Sequence, residues 1–256
     1  MFSSTDSRGR IDVAFTDRHG GSSGGPFASL NLGVNGSEDA ALVRRNLATV
    51  GRAFRALRPV VERGPEGDPG RLALMRQVHG ADVHVVTRDD EHGGTGEPPT
   101  ADALVTAVPD VVLLVRVADC VPVLLADPDR GVVGAAHAGR PGMVAGVVPA
   151  AVAAMRDLGA RRITAWVGPH VCGRCYEVPA EMRAEVARVV PEAYARTSWG
   201  TPALDVGAGV RAQLVAAGVE IATAGEPCTI EDDDLYSYRR QGVDSGRLGG
   251  LVRVCP

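Results

Sequence analysis

Three side chains able to hold a soft metal, or to act as nucleophile and base, stand next to apolar runs. They are His79 in Gln77-Val78-His79-Gly80, Cys120 in Ala118-Asp119-Cys120 and His137 in His137-Ala138-Gly139. Two imidazoles and a thiolate suit Zn²⁺, and three protein ligands leave the fourth tetrahedral position to water. That is the pattern of a catalytic zinc, whose bound water is acidified towards neutrality. The intervals of 41 and 17 residues match no short zinc signature, so a second reading stays open. In it Cys120 is a nucleophile and His137 its base, oriented by Asp119 or Asp102. Cys120 as a small buried hydrophobe and His79 as a hydrogen-bonded structural histidine are the plainer accounts of the same residues.

Two further groups carry weaker signals. Cys172-x-x-Cys175 is half a zinc site or a redox pair; no second CxxC accompanies it, and it reads as a loop with two ordinary thiols. Tyr238-Arg239-Arg240 and Arg247 offer guanidiniums that would clamp an anion bidentately, although a charged face explains them equally well.

The elements that must position these residues follow from the hydrophobic pattern. Residues 111–117, 121–126 and 131–136 are apolar, β-branched runs of strands buried on both faces, and Cys120 and His137 fall at or near their ends. A polar leader over 1–10 is expected to be disordered, followed by a strand at 11–15 and a Gly/Ser-rich loop at 18–26. A helix begins near Ser37, its N-cap, and runs through Leu42, Val43, Leu47, Val50 and Phe54. Residues 59–71 form a Gly/Pro/Glu-rich connection. Residues 74–83 read as a strand broken at His79-Gly80 and resumed at 83–86, and 89–100 as a polar loop with His92 solvated. Helices are expected at 143–158 (closed by Gly159), 179–190 and 207–217 (closed by Gly218), and strands at 163–167 and 251–254. Strands and helices alternate without a βαβ repeat. The fold class is therefore mixed α/β (α+β), one domain over 1–256 with mixed sheets and helices packed outside, neither Rossmann nor barrel.

Composition narrows the function. The 256-residue chain is 45% hydrophobic and 23% charged, as expected of a globular protein. All 27 basic residues are Arg, the net charge is −4, and no basic cluster exists to neutralise phosphates, which argues against a nucleic-acid partner. No stretch reaches the ~20 apolar residues of a membrane span, and the N-terminus has no apolar signal region. A cytoplasmic location, no membrane partner and a monomer or weak homodimer are the expectations. Five cysteines do not form an even disulfide framework.

Taken in order, FTDRHGGSSGGPFASLNLG, RQVHGADV, ADALVT, ADCVPVLLAD, HAG, GPHVCGRCYEV and CTIEDDDLYSYRRQGVDSGR resemble the polyphenol oxidase or laccase-like family, also described as purine nucleoside phosphorylases and peptidoglycan editing factors. The resemblance covers the chain from about Phe15 onward. It implies a metal centre of His79, Cys120 and His137, with zinc as cofactor and copper as the alternative. It also implies phosphorolysis of adenosine, inosine and methylthioadenosine, with deamination of adenosine, so that nucleoside and phosphate are the small-molecule partners. Asn31, Arg76, Gln77, Arg239 and Arg240 match motif positions and are expected to bind substrate. A Cys–His hydrolase or amidase acting on cell-wall precursors, and a copper-dependent polyphenol oxidase, are the alternatives. Where the family usually reads HAGWRG, this chain has His137-Ala138-Gly139-Arg140-Pro141-Gly142. An aromatic wall and a cation are thus lost from their usual places, with Arg140 able to supply charge one residue earlier.

Overall fold

Alternation along the strands decides where the layers lie. The computed structural model describes residues 1–34, 37–58, 71–90, 97–222 and 226–256. Its strands are β1 (Phe2–Arg8), β2 (Ile11–Thr16), β3 (Arg71–Ala73), β4 (Val83–Val85), β5 (Ala103–Thr106), β6 (Val111–Val117), β7 (Val121–Asp127), β8 (Val132–Ala138), β9 (Thr164–Val167), β10 (Tyr194–Arg196), β11 (Pro202–Leu204), β12 (Glu220–Ile221) and β13 (Leu248–Val254). The α-helices are α1 (Ala40–Arg55), α2 (Arg140–Ala145), α3 (Val147–Asp157), α4 (Ala180–Val189), α5 (Val206–Ala216) and α6 (Tyr238–Gln241). Among the described residues no helix is long and apolar enough to cross a membrane.

Five strands pair in the order β1-β2-β13-β6-β3 and six in the order β12-β9-β7-β8-β5-β4, while β10 and β11 form a small separate ribbon. Both large sheets are mixed: β3–β6, β4–β5 and β9–β12 are parallel, the other pairs antiparallel. Because side chains alternate along a strand, Val111, Leu113 and Val115 of β6 share one cluster with Leu104, Leu124, Val133 and Trp166 of the six-stranded sheet. Val112 and Leu114 point the other way, onto Val43, Leu47, Val50 and Phe54 of α1. Val105, Val123 and Leu125 face outward from the second sheet onto Val148, Val152 and Met155 of α3 and Val210 and Leu214 of α5. Two sheets packed face to face, with helices over their outer faces, are the result. Each fully buried Val, Leu or Phe contributes about 1.5–3 kcal/mol.

The mixed-sheet fold with external helices is as the pattern predicts, but four local expectations change. Residues 1–10 are not a disordered leader, because β1 lies antiparallel along β2, Thr5 opposite Ala14; its exposed, Ser-rich face hides the strand from a hydrophobic pattern. Helix α1 is capped by Asp39, whose carboxylate accepts the Ala41 N–H at 2.8 Å, not by Ser37. The apolar run 143–158 is two helices, since Gly146 adopts φ 88° between α2 and α3. Residues 74–78 keep one isolated parallel bridge, Arg76 with Thr100, in place of a strand, and the turn that follows is held by the Asp102 carboxylate. The expected connection at 59–70 and the loop 91–96 with His92 lie outside the described residues.

Candidate metal centre and cavity

His137 lies on β8, in the middle of the six-stranded sheet, opposite Pro122 of β7. Cys120 ends the turn between β6 and β7, and His79 belongs to the loop between β3 and β4. These elements bring one ligand atom from each of the three to within 4.8 Å of the others. Cys120 Sγ is 3.7 Å from His79 Nε2, and the two imidazoles meet edge to face at 4.8 Å between centroids.

Asp102 organises the approach. Its fully buried carboxylate accepts the N–H groups of Val78 (3.2 Å), His79 (2.9 Å) and Gly80 (2.6 Å), and the Nδ1–H of His137 at 2.8 Å. A carboxylate only accepts, so the proton of that bond sits on Nδ1 and His137 turns Nε2 towards Cys120. Burial would raise the Asp102 carboxyl, but His137 and the Gly80 N–H outweigh it and hold it below the carboxylate range. The bound loop accommodates His79 at φ 61°, and Asp119 stands at φ 84° beside Cys120. Such conformations cost about 1–3 kcal/mol each and persist only where surrounding contacts fix them. Asp119 is fixed by Thr229 Oγ1 (2.6 Å) and the Arg239 N–H (2.7 Å). Of the two carboxylates considered as orienter, Asp102 touches His137 and Asp119 is engaged elsewhere.

Burial would push the Cys120 thiol up, yet the imidazoles of His137 and His79 bring it to about 6. Burial would push His137 down, yet the Cys120 thiolate and Asp102 bring it to about 9. Without a metal the pair is a thiolate beside an imidazolium. A soft dication replacing the Nε2 proton meets a thiolate and two imidazoles, one of them already oriented by a carboxylate, which is the donor chemistry of zinc sites. Gly139 is required by the crowding: a Cβ there would stand 2.5 Å from His79 Cδ2 and 3.1 Å from Cys120 Sγ.

The three donors line a cavity of about 370 Å³ with Gln77, Arg116, Arg140, Tyr176, Tyr238, Arg239 and Arg247. Arg116 is the one charge in the apolar run of β6. Burial and the facing charge of Arg247 lower its pKa, and burial lowers that of Arg247, so both cations are held at some cost that a bound anion would offset. Arg140 opens α2 and Pro141 follows it within the first turn, where its missing N–H costs nothing.

The expected substrate-binding residues divide. Gln77 lines the cavity and exchanges two hydrogen bonds with the main chain of Arg116 (2.7 and 2.9 Å). Arg239 also lines it, stacked 4.6 Å over Tyr176 with a guanidinium bond to Glu177 O. Asn31 is buried one step back, its Oδ1 accepting the N–H of Arg247 at 2.8 Å. Arg76 instead donates to Thr100 Oγ1 at the surface. The Arg240 guanidinium, expected as an anion clamp, is taken up by the carbonyls of Thr229, Ile230, Asp232 and Leu235. Sequence reasoning missed Arg116 and Tyr176; a lone Arg inside an apolar run was the available signal, since a buried charge there needs a reason. Cys172 and Cys175 read as ordinary thiols in sequence, whereas the fold gathers both with Cys228 and Glu231.

Fold and site together define an α+β protein with packed sheets, whose thiolate–imidazole cluster shares a cavity with four arginines. The chain belongs to the family described as multi-copper polyphenol oxidoreductase laccase, whose model matches residues 12–255. It is 53% identical over 246 residues to a purine nucleoside phosphorylase of Streptomyces griseus, covering 95% of this chain and 94% of the relative. It is 52% identical over 254 residues to a purine nucleoside phosphorylase of Streptomyces coelicolor, covering 98% and 99%. The crystal structure of YlmD from Geobacillus stearothermophilus superposes with a TM-score of 0.83 at 29% identity, over 100% of this chain and 99% of that one.

Proposed function

We propose that this chain is a metal-dependent purine nucleoside phosphorylase, acting on adenosine, inosine and methylthioadenosine and also deaminating adenosine. The observation that carries the reading is the cavity itself, where His79, Cys120 and His137 face Arg116, Arg140, Arg239 and Arg247. Relatives named purine nucleoside phosphorylase support it. Phosphorolysis needs a phosphate held against the anomeric carbon while the purine departs, and preorganised guanidiniums do this best where water is scarce. Arg116 and Arg247, both half-buried and facing, are the donors we assign to phosphate. Tyr238 and Tyr176 offer ring faces for the purine. Asp102 keeps a proton on His137 Nδ1, leaving Nε2 as donor atom to a metal. Zinc bound there would act as a Lewis acid that acidifies a coordinated water, the chemistry deamination requires. Zinc is the metal we assign, because two imidazoles and a thiolate facing an open cavity are the three-ligand donor set of a catalytic zinc, with the fourth position left to water or substrate.

The test is metal-quantified protein with adenosine, with and without phosphate. Adenine appearing only with phosphate, and inosine in either case, are the expected products; formation of neither overturns the proposal. Arg247→Met should raise KM for phosphate more than it lowers kcat.

The alignment of Asp102, His137 and a thiolate at Cys120 favours a second reading, a Cys–His hydrolase or amidase of cell-wall precursors. It predicts a covalent adduct on Cys120 that still forms in chelator. The family description raises polyphenol oxidation, for which oxygen uptake must track bound copper.

A further inference from the structure

Behind the wall of the cavity that carries Val171 and Tyr176 lies a second cluster of metal-binding side chains. Cys172 and Cys175 belong to one tight turn, in which the N–H groups of Cys175 and Tyr176 both donate to Cys172 O at 3.0 Å. The turn brings its two thiols to one side. A second turn, 56 residues later, supplies Cys228 and Glu231, with the Glu231 N–H donating to Cys228 O at 3.1 Å. The three Sγ atoms and a carboxylate oxygen of Glu231 all lie within 4.8 Å of one another. All three cysteines are free thiols. Four donors at zinc bonding distance stand about 3.8 Å apart in a tetrahedron, and Cys175 Sγ is already 3.4 Å from Glu231 Oε1.

The surroundings are those of a metal site. The N–H of Cys172 points at Cys228 Sγ, 3.4 Å away, which is how main-chain donors stabilise thiolate ligands. Arg174 reaches Glu231 Oε2 at 3.2 Å, orienting the carboxylate and offsetting the negative charge that three thiolates and a carboxylate leave on a dication.

We propose that Cys172, Cys175, Cys228 and Glu231 form a second, structural zinc site, independent of the centre at Cys120. Four protein donors close the coordination sphere and leave no position for water, the mark of a structural site. The hard carboxylate favours Zn²⁺ over Cu⁺, which thiolates alone would serve. The thiols give up their protons to solvent as the ion binds. None of the four lines the cavity, but the two turns they join hold its wall. Val171 N–H donates to Asp119 O, Thr229 Oγ1 to Asp119 Oδ1, and the Arg239 guanidinium to Glu177 O. The ion staples the segment bearing Tyr176 to the segment that leads into α6, which bears Tyr238 and Arg239.

The proposal holds or fails whatever the catalysed reaction is. Full-length protein grown with zinc should carry about two ions per chain, and Cys120→Ser about one. Adding Cys175→Ser to Cys120→Ser should remove the remaining ion. Should that double variant not fold, Glu231→Gln, changed at an exposed position, should retain zinc less well against chelator in the Cys120→Ser background. Cobalt(II) in place of zinc in Cys120→Ser should give a thiolate charge-transfer band, and chelator should expose three thiols to alkylation. Metal-free Cys120→Ser, zinc retention untouched by both Cys175→Ser and Glu231→Gln, or a disulfide among the three cysteines in freshly purified protein would each overturn it.

Discussion

Asp102 serves both histidines of the centre at once, through the N–H groups of the His79 loop and Nδ1 of His137. Asp102→Asn removes the charge that makes His137 a strong donor, so zinc affinity should fall about 10–100-fold, measured by competition with a chromophoric chelator. Asp102→Ala leaves the buried N–H groups and His137 without a partner and should cost about 3–5 kcal/mol in urea unfolding. Gly139→Ala tests the close approach on the other side. Its Cβ would collide with His79 Cδ2 at 2.5 Å, so the variant should stay folded yet bind less than its share of zinc; full zinc content would show that the His79 loop yields freely. His79, Cys120 and His137 are legible singly as candidate donors, but their intervals of 41 and 17 residues match no zinc signature, and only the family resemblance implies them as one set. Asp102 was legible only as one of two equal carboxylates. Sequence carries no distance between Asp102 and His137, which are 35 residues apart, and the pairing of β5 with β8 supplies it.

At the scale of elements, continuous apolar runs announce the central strands well, since strands buried on both faces leave unbroken apolar sequence in β6, β7 and β8. Elements that obey local backbone chemistry were harder to read. The Gly146 break and the exposed edge strand β1 bury little that a pattern registers. The closing strand β13 is longer than the 251–254 that the apolar pattern marks, because Gly249 and Gly250 follow its first residue, Leu248; both are small where side chains of β6 and Phe15 press close. It carries the fully buried Arg253 opposite Asp12 of β2, joined at 2.9 Å. Burial would raise the Asp12 carboxyl, but hydrogen bonds from Cys255, Arg253 and Ser7 hold it below its ordinary 3.8. Asp127 is likewise lowered, its burial outweighed by the N–H groups of Arg161, Arg162 and Arg130. A carboxyl whose folded value lies below its unfolded one stabilises the fold above the unfolded value and loses that contribution as pH falls towards the folded one. The urea midpoint should therefore be level from about pH 7 to 5 and fall below about pH 4. Asp12→Asn should be less stable at neutral pH and show a shallower acid fall; an unchanged fall would place the acid sensitivity elsewhere.

At the scale of the molecule, the cavity draws on residues as distant in sequence as Gln77 and Arg247, and a metal at His79, Cys120 and His137 would cross-link the β3–β4 loop, the β6–β7 turn and β8. An ion that binds only the folded chain stabilises it by mass action, about 2.7 kcal/mol at a hundredfold excess over Kd. For a chain of this size each kcal/mol moves Tm by about 2–4 °C. Chelation should therefore lower Tm by about 5–10 °C, and restored zinc should return it. The thiol staple makes the response composite. Cys120→Ser should start from a lower Tm and keep only the part of the chelator response that belongs to Cys172, Cys175, Cys228 and Glu231, whereas Cys175→Ser should keep only the part that belongs to the cavity. A Tm indifferent to zinc in the unaltered protein would sink both metal assignments. A response abolished in full by Cys120→Ser would leave the cavity as the one place where metal and folding are coupled, because a closed four-donor site must stabilise the fold it closes.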